Sequence, residues 1–479
     1  MPPGGNWYHR GMKRYLSVVL LGVAALGGVA SADEKLDVGP GEKYARIEEA
    51  LEAAHAGDTI VVHPLADGKA YERVALMVRT PRLHIMMAPG RPRQGIRAGG
   101  AITTHPARIV LRGEGFDYSG VGKVPRAIVQ FDPGADGCVL EGFELSGARN
   151  GSHNGAGVRI NQANHVTVKL CTITGNDMGI MSNGDGTVKT GIDQRIERCL
   201  IYGNGSKVEP GMSHNLYLGA TSVVVSGCEV HSSVTGHNVK SRAHYTRVEY
   251  CWVHDSANRE LDLVDAKGDT DVAGSDAVVF GTVLSKAVDM KGNREVIHFG
   301  QDGGNEHKGT LHVVNSTIVT GYVSPVVTLS APGAKVQFVN SLFSDAETGQ
   351  KNQVLVGVSG KAPEEALAAR VKASHNVFRG DFKDVAEGAG VRLSTAVGFA
   401  NAAAGDYRVV TAVEALRGKG VVIGSLGLPG ATGRDGDQVG MPWQRYLHPQ
   451  SKAPRRDDWR SDVGAFECER PAGVKDDER

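Results

Sequence analysis

Four residues able to carry charge or move a proton sit at the centre of short triplets. They are Tyr217 in LYL (216–218), Lys240 in VKS (239–241), Asp262 in LDL (261–263) and His298 in IHF (297–299). Successive side chains of an extended strand point to opposite faces, so mostly apolar flanks turned to a core leave the central residue facing out. The same form recurs as VRI (158–160), IMS (180–182) and VTL (327–329), adding Arg159, Met181 and Thr328 to one outer column. By alternation Asn215, Asn238 and Glu260 share that face two residues earlier, and Asn161, Asn183 and Arg242 two residues later. His214 and His237 fall on the inward side and are expected to be buried, hydrogen-bonded histidines.

Stacked on adjacent strands about 4.8 Å apart, Tyr217, Lys240, Asp262 and His298 would form a strip of roughly 14 Å. That suits an extended oligosaccharide better than a compact metabolite. Elimination at a uronic acid requires the C6 carboxylate to be neutralised, the C5 proton removed and the leaving oxygen protonated. Lys240 and Arg242 are candidates for the carboxylate, and Lys240 or Tyr217 for the proton. Hydrolysis requires two carboxylates. Glu260 and Asp262, about 6.5–7 Å apart along one strand face, are the candidates, with Asp302 of HFGQDGG approaching from a turn. The bland alternative is a hydrated face on which Asp262 only pairs with Lys240.

A repeat must position this strip. VTVKLCTITGN, QRIERCLIYGN, VVVSGCEVHSS, RVEYCWVHDS and HVVNSTIVTG align on one step, placing equivalent positions at Gly142, Cys171, Cys199, Cys228, Cys251, Gly281, Ser316, Ser341 and His375. The spacings of 23–35 residues, the period-two alternation and the Asn/Gly turns describe a β-solenoid and exclude helical repeats. The expected fold is all-β: a single-stranded right-handed parallel β-helix with an N-terminal capping helix. The cysteines then form a ladder of small buried residues, as free thiols or with one bridge between rungs. No Zn-type Cys/His spacing appears, and the glycine-rich pieces SNGDG and GQDGG lack P-loop spacing and are expected as turns.

Before the repeat, Ile47, Ala50, Leu51 and Ala54 have helical spacing, Gly57 follows, and Thr59–Val62 is strand-like. Lys13 and Arg14, an apolar run to Ala30 and an Ala-Ser-Ala step describe a cleaved export signal over 1–32, with a start at Met12. The expected organisation is then a cap and first strands over 33–100, the β-helix over 101–390, and a C-terminal cap and tail over 391–479. A net charge of zero argues against nucleic acid and anionic membranes as partners, and no later stretch is apolar enough to span a bilayer. An exported monomer in the periplasm or medium, acting on a polysaccharide, is expected.

The helix followed by GDTI, the Asn/Gly-turned repeat and the GAFE ending resemble the pectate-lyase-like superfamily of right-handed parallel β-helices, over nearly all of residues 33–380. SHNGAGVRI, HNLYLG, TGHNVKSRAH, SANRELDLVD and VIHFGQDGG look like a group of secreted bacterial β-helix proteins. The resemblance implies a fold, and an activity drawn from lyases, inverting hydrolases, epimerases, esterases and phage tailspikes. The Asp-Asp arrangement of polygalacturonases and an epimerase-type Asp-Pro-His motif are absent, which favours elimination of a uronic-acid polysaccharide. An inverting hydrolase and a non-catalytic glycan-binding solenoid remain the alternatives. Relatives that bind uronate through Ca²⁺ make Glu260, Asp262 and Asp265 the candidate ligands.

Overall fold

The computed structural model describes residues 33–466, apart from 90–91, 97–101, 107–108, 210, 346–347, 361–366, 384, 386–387, 394–396, 403–404, 412, 422–427, 430–443, 448–450 and 455–461. Residues 1–32, where an export signal is expected, Glu467 of the GAFE ending, Cys468 and most of the charged tail lie outside the described residues.

Three long parallel sheets run the length of the coil. The first passes from Lys35–Val38 to Val371–Ser374, the second from Tyr71–Glu72 to Gly390–Leu393, and the third from Leu76–Val78 to Phe382–Lys383. Chain order threads one strand of each sheet per turn, so the protein is the parallel β-helix expected. In the third sheet Val129, Val158, Ile180, Leu216, Val239, Leu261, Ile297 and Val327 stack in register and are fully buried. Each such side chain contributes about 1.5–3 kcal/mol by leaving water.

The helix Ile47–Ala53 covers the N-terminal end of the coil with Ile47 and Ala50 buried. The Glu49 carboxylate accepts the N–H groups of Ala45 and Arg46 at its start (3.1 and 3.2 Å). Gly57 adopts φ +102°, and a Cβ there would lie 2.5 Å from Asp33 Oδ1. No helix among the described residues is long and apolar enough to cross a membrane.

Two corners explain the repeat. Between the first and second sheets a left-handed residue (Leu170, Arg198, Tyr250, Asn315, Asn340) turns the chain, and the next residue points inward. Its side chain accepts the backbone N–H of the equivalent residue one rung before: Cys228 Sγ from Cys199, Cys251 Sγ from Cys228, Thr282 Oγ1 from Cys251, Ser316 Oγ from Thr282 and Ser341 Oγ from Ser316. Phe143, Thr282 and Asn376 hold this position, one residue later than Gly142, Gly281 and His375; those three supply the left-handed turn instead. The described cysteines are buried thiols with no disulfide among them, and burial pushes the Cys138 thiol up to about 11.

The second corner leads into the third sheet and carries a chain of side-chain amides. Asn176 Nδ2 donates to Asn204 Oδ1 (3.1 Å), Asn204 to Asn215 (2.9 Å), Asn215 to Asn238 (2.9 Å), and Asn238 to Glu260 Oε2 (2.6 Å). All five are fully buried. The Nδ2 groups of the four asparagines also donate to backbone carbonyls around the corner, those of Thr174, Ile173, His231 and His254 among them.

Candidate active site

Backbone register places Arg159, Met181, Tyr217, Lys240, Asp262, His298 and Thr328 in one column on the third sheet, each paired directly with the next. The strip inferred from the triplets is therefore contiguous. Its members divide by depth.

Asp262 is fully buried at the centre. Its Oδ1 faces Arg259 Nη1 (3.0 Å) and His298 Nδ1 (2.7 Å), and its Oδ2 faces Lys240 Nζ (2.7 Å) and His237 Nε2 (3.3 Å). Burial alone would raise its carboxyl, but His237, His298 and Lys240 outweigh burial and hold it well below the usual carboxylate range. His298 is in turn held by Ser330 Oγ at Nε2 (2.7 Å), and Arg259 Nε by Glu295 (2.8 Å).

Above Asp262 lies a second layer. Lys240 Nζ also donates to Asp302 Oδ2 (2.8 Å), and the same oxygen accepts Arg242 Nη2 (2.6 Å). The Lys240 side chain is only 9% exposed, whereas that of Asp302 is 43% exposed. Arg242 Nε donates to Tyr217 Oη (3.0 Å) and Nη1 donates to the Asp265 carbonyl. Burial raises the Asp302 carboxyl, and its bonds to Lys240 and Arg242 overcome this and lower it. The turn carrying Asp302 is fixed by Asp265, whose carboxylate accepts the N–H groups of Asp302 (2.5 Å), Gly303 (2.7 Å) and Asn305 (2.6 Å).

His214 and His237 were expected to face inward. Both are buried, yet they stand on the strip side: the rings of His237 and His214 stack at 5.0 Å, and those of His214 and Tyr217 at 5.5 Å. His214 Nδ1 accepts the His237 N–H (2.9 Å), and His237 Nδ1 accepts the Arg259 N–H (3.2 Å). Each Nε2 therefore carries the hydrogen, and that of His237 points at Asp262. Burial pushes His237 down to about 4 and His214 well below the ordinary histidine value, so both are neutral at pH 7.

Three expected outer residues are corrected. Asn215, Asn238 and Glu260 lie inside, in the amide chain, because alternation breaks at the corner, where two successive residues turn to the core. Glu260 and Asp262 thus do not form an exposed carboxylate pair. The candidate Ca²⁺ set fails because each of its carboxylates is already bound by protein donors. Glu260 is bound by Asn238 and the Ser256 N–H, Asp262 by its four partners, and Asp265 by the turn it fixes. Burial pushes the Glu260 carboxyl up to about 7 and the facing Lys286 ammonium down to about 8.

Arg159, Asn161 and Asn183 sit on the N-terminal side of the strip. Arg159 Nε donates to Asn161 Oδ1 (3.1 Å), Asn161 Nδ2 to Asp132 (2.9 Å), and Asn183 Nδ2 to the Gly184 carbonyl (3.2 Å). Arg259, Glu295 and Ser330 belong to the centre but had no sequence signal beyond closeness to strip residues. The arrangement offers cations above a buried anion, with a tyrosine oxygen beside them.

No family model and no curated protein sequence matches the chain. Among solved structures it is similar to the pectate lyase Pel9A, at 12% identity over 92% of this chain and 98% of that one, with a TM-score of 0.44. It is similar to a rhamnogalacturonan lyase at 12% identity, over 72% and 87% of the two chains, with a TM-score of 0.41. The pectin methylesterase PemA from Erwinia chrysanthemi is similar at 10% identity, over 71% and 94%, with a TM-score of 0.33. By its own sheets and register, the chain is a parallel β-helix protein.

Proposed function

We propose that the chain is an exported lyase that cleaves a uronic-acid-containing polysaccharide by β-elimination along the third sheet. The observation supporting this is the convergence of Lys240 and Arg242 on one carboxylate oxygen, Asp302 Oδ2 (2.8 and 2.6 Å). A uronate carboxylate entering the strip replaces that oxygen and is neutralised by the same two cations, which acidifies the adjacent C5–H. Tyr217 acts as the phenolate, accepting from Arg242 Nε, and its Oη takes the C5 proton. The C5–H electrons form the C4=C5 bond, the C4–O4 bond breaks, and the departing oxygen receives a proton from Tyr217. The Arg242 Nε–H bond to Oη offsets the negative charge that the phenolate carries before it takes the C5 proton and again after it gives that proton up. Asp262, held by Arg259, His237 and His298, positions Lys240.

The test is ultraviolet absorbance during incubation with pectate, rhamnogalacturonan, alginate and glycosaminoglycans. A rise from the conjugated product that disappears in Arg242→Ala supports the proposal. New reducing ends without absorbance would overturn it. One observation favours a second reading, a glycan-binding solenoid without turnover: Asp302 already satisfies both cations and Lys240 is nearly closed to solvent. Saturable oligouronate binding with no product on any substrate would establish that alternative.

A further inference from the structure

A second cluster stands on the outer face of the neighbouring sheet, across the amide corner from the strip. Glu229 and His231 are two residues apart on the strand Glu229–His231, so they share a face. His254 ends the next strand, Trp252–His254, and pairs directly with His231. Glu229 Oε1 lies 3.5 Å from His254 Nε2 and 3.9 Å from His231 Nε2, and the three atoms fall within 4.8 Å of one another. A tetrahedral shell with metal–ligand bonds of about 2.0–2.1 Å has edges of roughly 3.4 Å. The two printed separations exceed that edge by roughly 0.1 and 0.5 Å and the third by at most roughly 1.4 Å, so rotamer adjustments of that size close the three atoms around an ion.

The surroundings are organised for the same purpose. His254 Nδ1 is bonded to Asp255 Oδ2 (2.8 Å) and His231 Nδ1 to Ser232 Oγ (2.9 Å). A ring whose Nδ1–H is given to a carboxylate presents a bare Nε2 lone pair to a metal. Tyr202 stacks on His231 at 5.0 Å, His231 on His254 at 4.8 Å with the planes 12° apart, and Trp252 on His254 at 3.6 Å; His254 is the fixed ring, and the more exposed His231 turns out of parallel for both Nε2 lone pairs to reach one ion. The backbone is held too: the carbonyls of His231 and His254 accept Nδ2 hydrogens from Asn215 and Asn238, at 2.7 Å each.

We propose that Glu229, His231 and His254 bind one divalent transition-metal ion of the Zn²⁺ type, with a solvent oxygen completing the shell. Two imidazoles and one carboxylate suit Zn²⁺, Ni²⁺ or Cu²⁺ and not Ca²⁺ or Mg²⁺, which require oxygen shells. Glu-x-His followed by a histidine 23 residues later is no finger spacing. The ligands meet only because one turn of the coil brings His254 beside His231. The site is independent of the lyase proposal and is tested without any polysaccharide.

The experiment is calorimetric titration of tag-free, metal-depleted full-length protein with ZnCl₂, together with thermal unfolding and Co²⁺ absorption spectra. One equivalent of Zn²⁺ is expected, with a melting temperature raised by roughly 2–4 °C at 100-fold excess over Kd, four-coordinate Co²⁺ bands, and no response to Ca²⁺. His231→Gln, at the half-buried edge of the cluster, should weaken binding at least about 100-fold, and Asp255→Asn about 10–100-fold. His63→Ala, in the separate Asp37–Glu42–His63 cluster, should change nothing. Absence of a stoichiometric Zn²⁺ equivalent in the parent, or one that survives both His231→Gln and His254→Ala, would overturn the proposal. Should His254→Ala unfold, the His231→Gln titration decides alone.

Discussion

Asp262→Asn isolates what the buried carboxylate does, because it keeps the volume and removes the charge. An amide can accept at one oxygen only. Of the four donors now converging on Asp262, the two facing Oδ2, Lys240 and His237, meet an N–H₂ group instead. Leaving a buried ion without its partner costs about 3–5 kcal/mol. Lys240 keeps Asp302 at 2.8 Å, so the lower end, about 3 kcal/mol, is expected. For a chain of 479 residues at about 2.1 cal/mol/K each, the unfolding entropy is about 1 kcal/mol per kelvin. The melting temperature should therefore fall by about 3 °C at pH 7, read by calorimetry. The partner experiment is Lys240→Met and the double variant. If the ion pair couples the two residues, the double variant is more stable than the sum of the single losses predicts, by at least about 1 kcal/mol. A melting temperature unchanged to within 1 °C, or single losses that add, would show that Asp262 does not organise the strip.

Tyr217→Phe removes only the phenolic oxygen and should reduce elimination by about 10²–10⁴-fold with the melting temperature unchanged; a kinetic effect confined to KM would exclude Tyr217 from proton transfer. Asp302→Ala frees Lys240 and Arg242 for an incoming carboxylate and should lower the Kd for an oligouronate, measured by titration, whereas weaker binding would show that Asp302 itself holds the ligand. His237 is depressed to about 4 in the fold against about 6.5 unfolded, so the unfolded chain binds the proton first as pH falls. Its share of stability is complete above pH 6.5 and is lost down to pH 4, at up to about 1.4 kcal/mol per pH unit; His237→Gln should flatten that part of the pH–stability curve. Asn238→Ala strips donors from Glu260 and the His254 carbonyl and an acceptor from Asn215, and should cost at least about 2 kcal/mol in denaturant unfolding.

The strip was legible because strand interiors obey a period of two, and mostly apolar flanks mark which residue is outside. Register followed from the repeat, so Lys240 could be set beside Tyr217 and Asp262 without coordinates. The corners were not legible. There the chain turns, Asn238 and Val239 both face the core, and a residue such as His237 swings to the side that alternation denies it. The same local failure put Glu260 on the wrong face and moved the ladder position from Gly281 to Thr282. Contacts that join distant loops, such as Asp265 fixing the turn of Asp302, depend on loop paths that leave no periodic trace. The Glu229–His231–His254 cluster was hidden because its spacing reflects the length of one coil and not a metal-binding loop.

The amide chain at the second corner has a direction. Each asparagine passes a hydrogen to the next, from Asn176 through Asn204, Asn215 and Asn238, and Glu260 only receives. An asparagine both gives and takes, so a coil carrying one can be duplicated and inserted among its neighbours with every bond restored. A coil carrying Glu260 cannot be copied in this way, since its duplicate would set two acceptors face to face. The solenoid is therefore open to growth on the N-terminal side of Glu260 and closed at it. Glu260 stands two residues before Asp262 on the same coil, so the coil that carries the buried carboxylate of the strip is the one that duplication cannot copy.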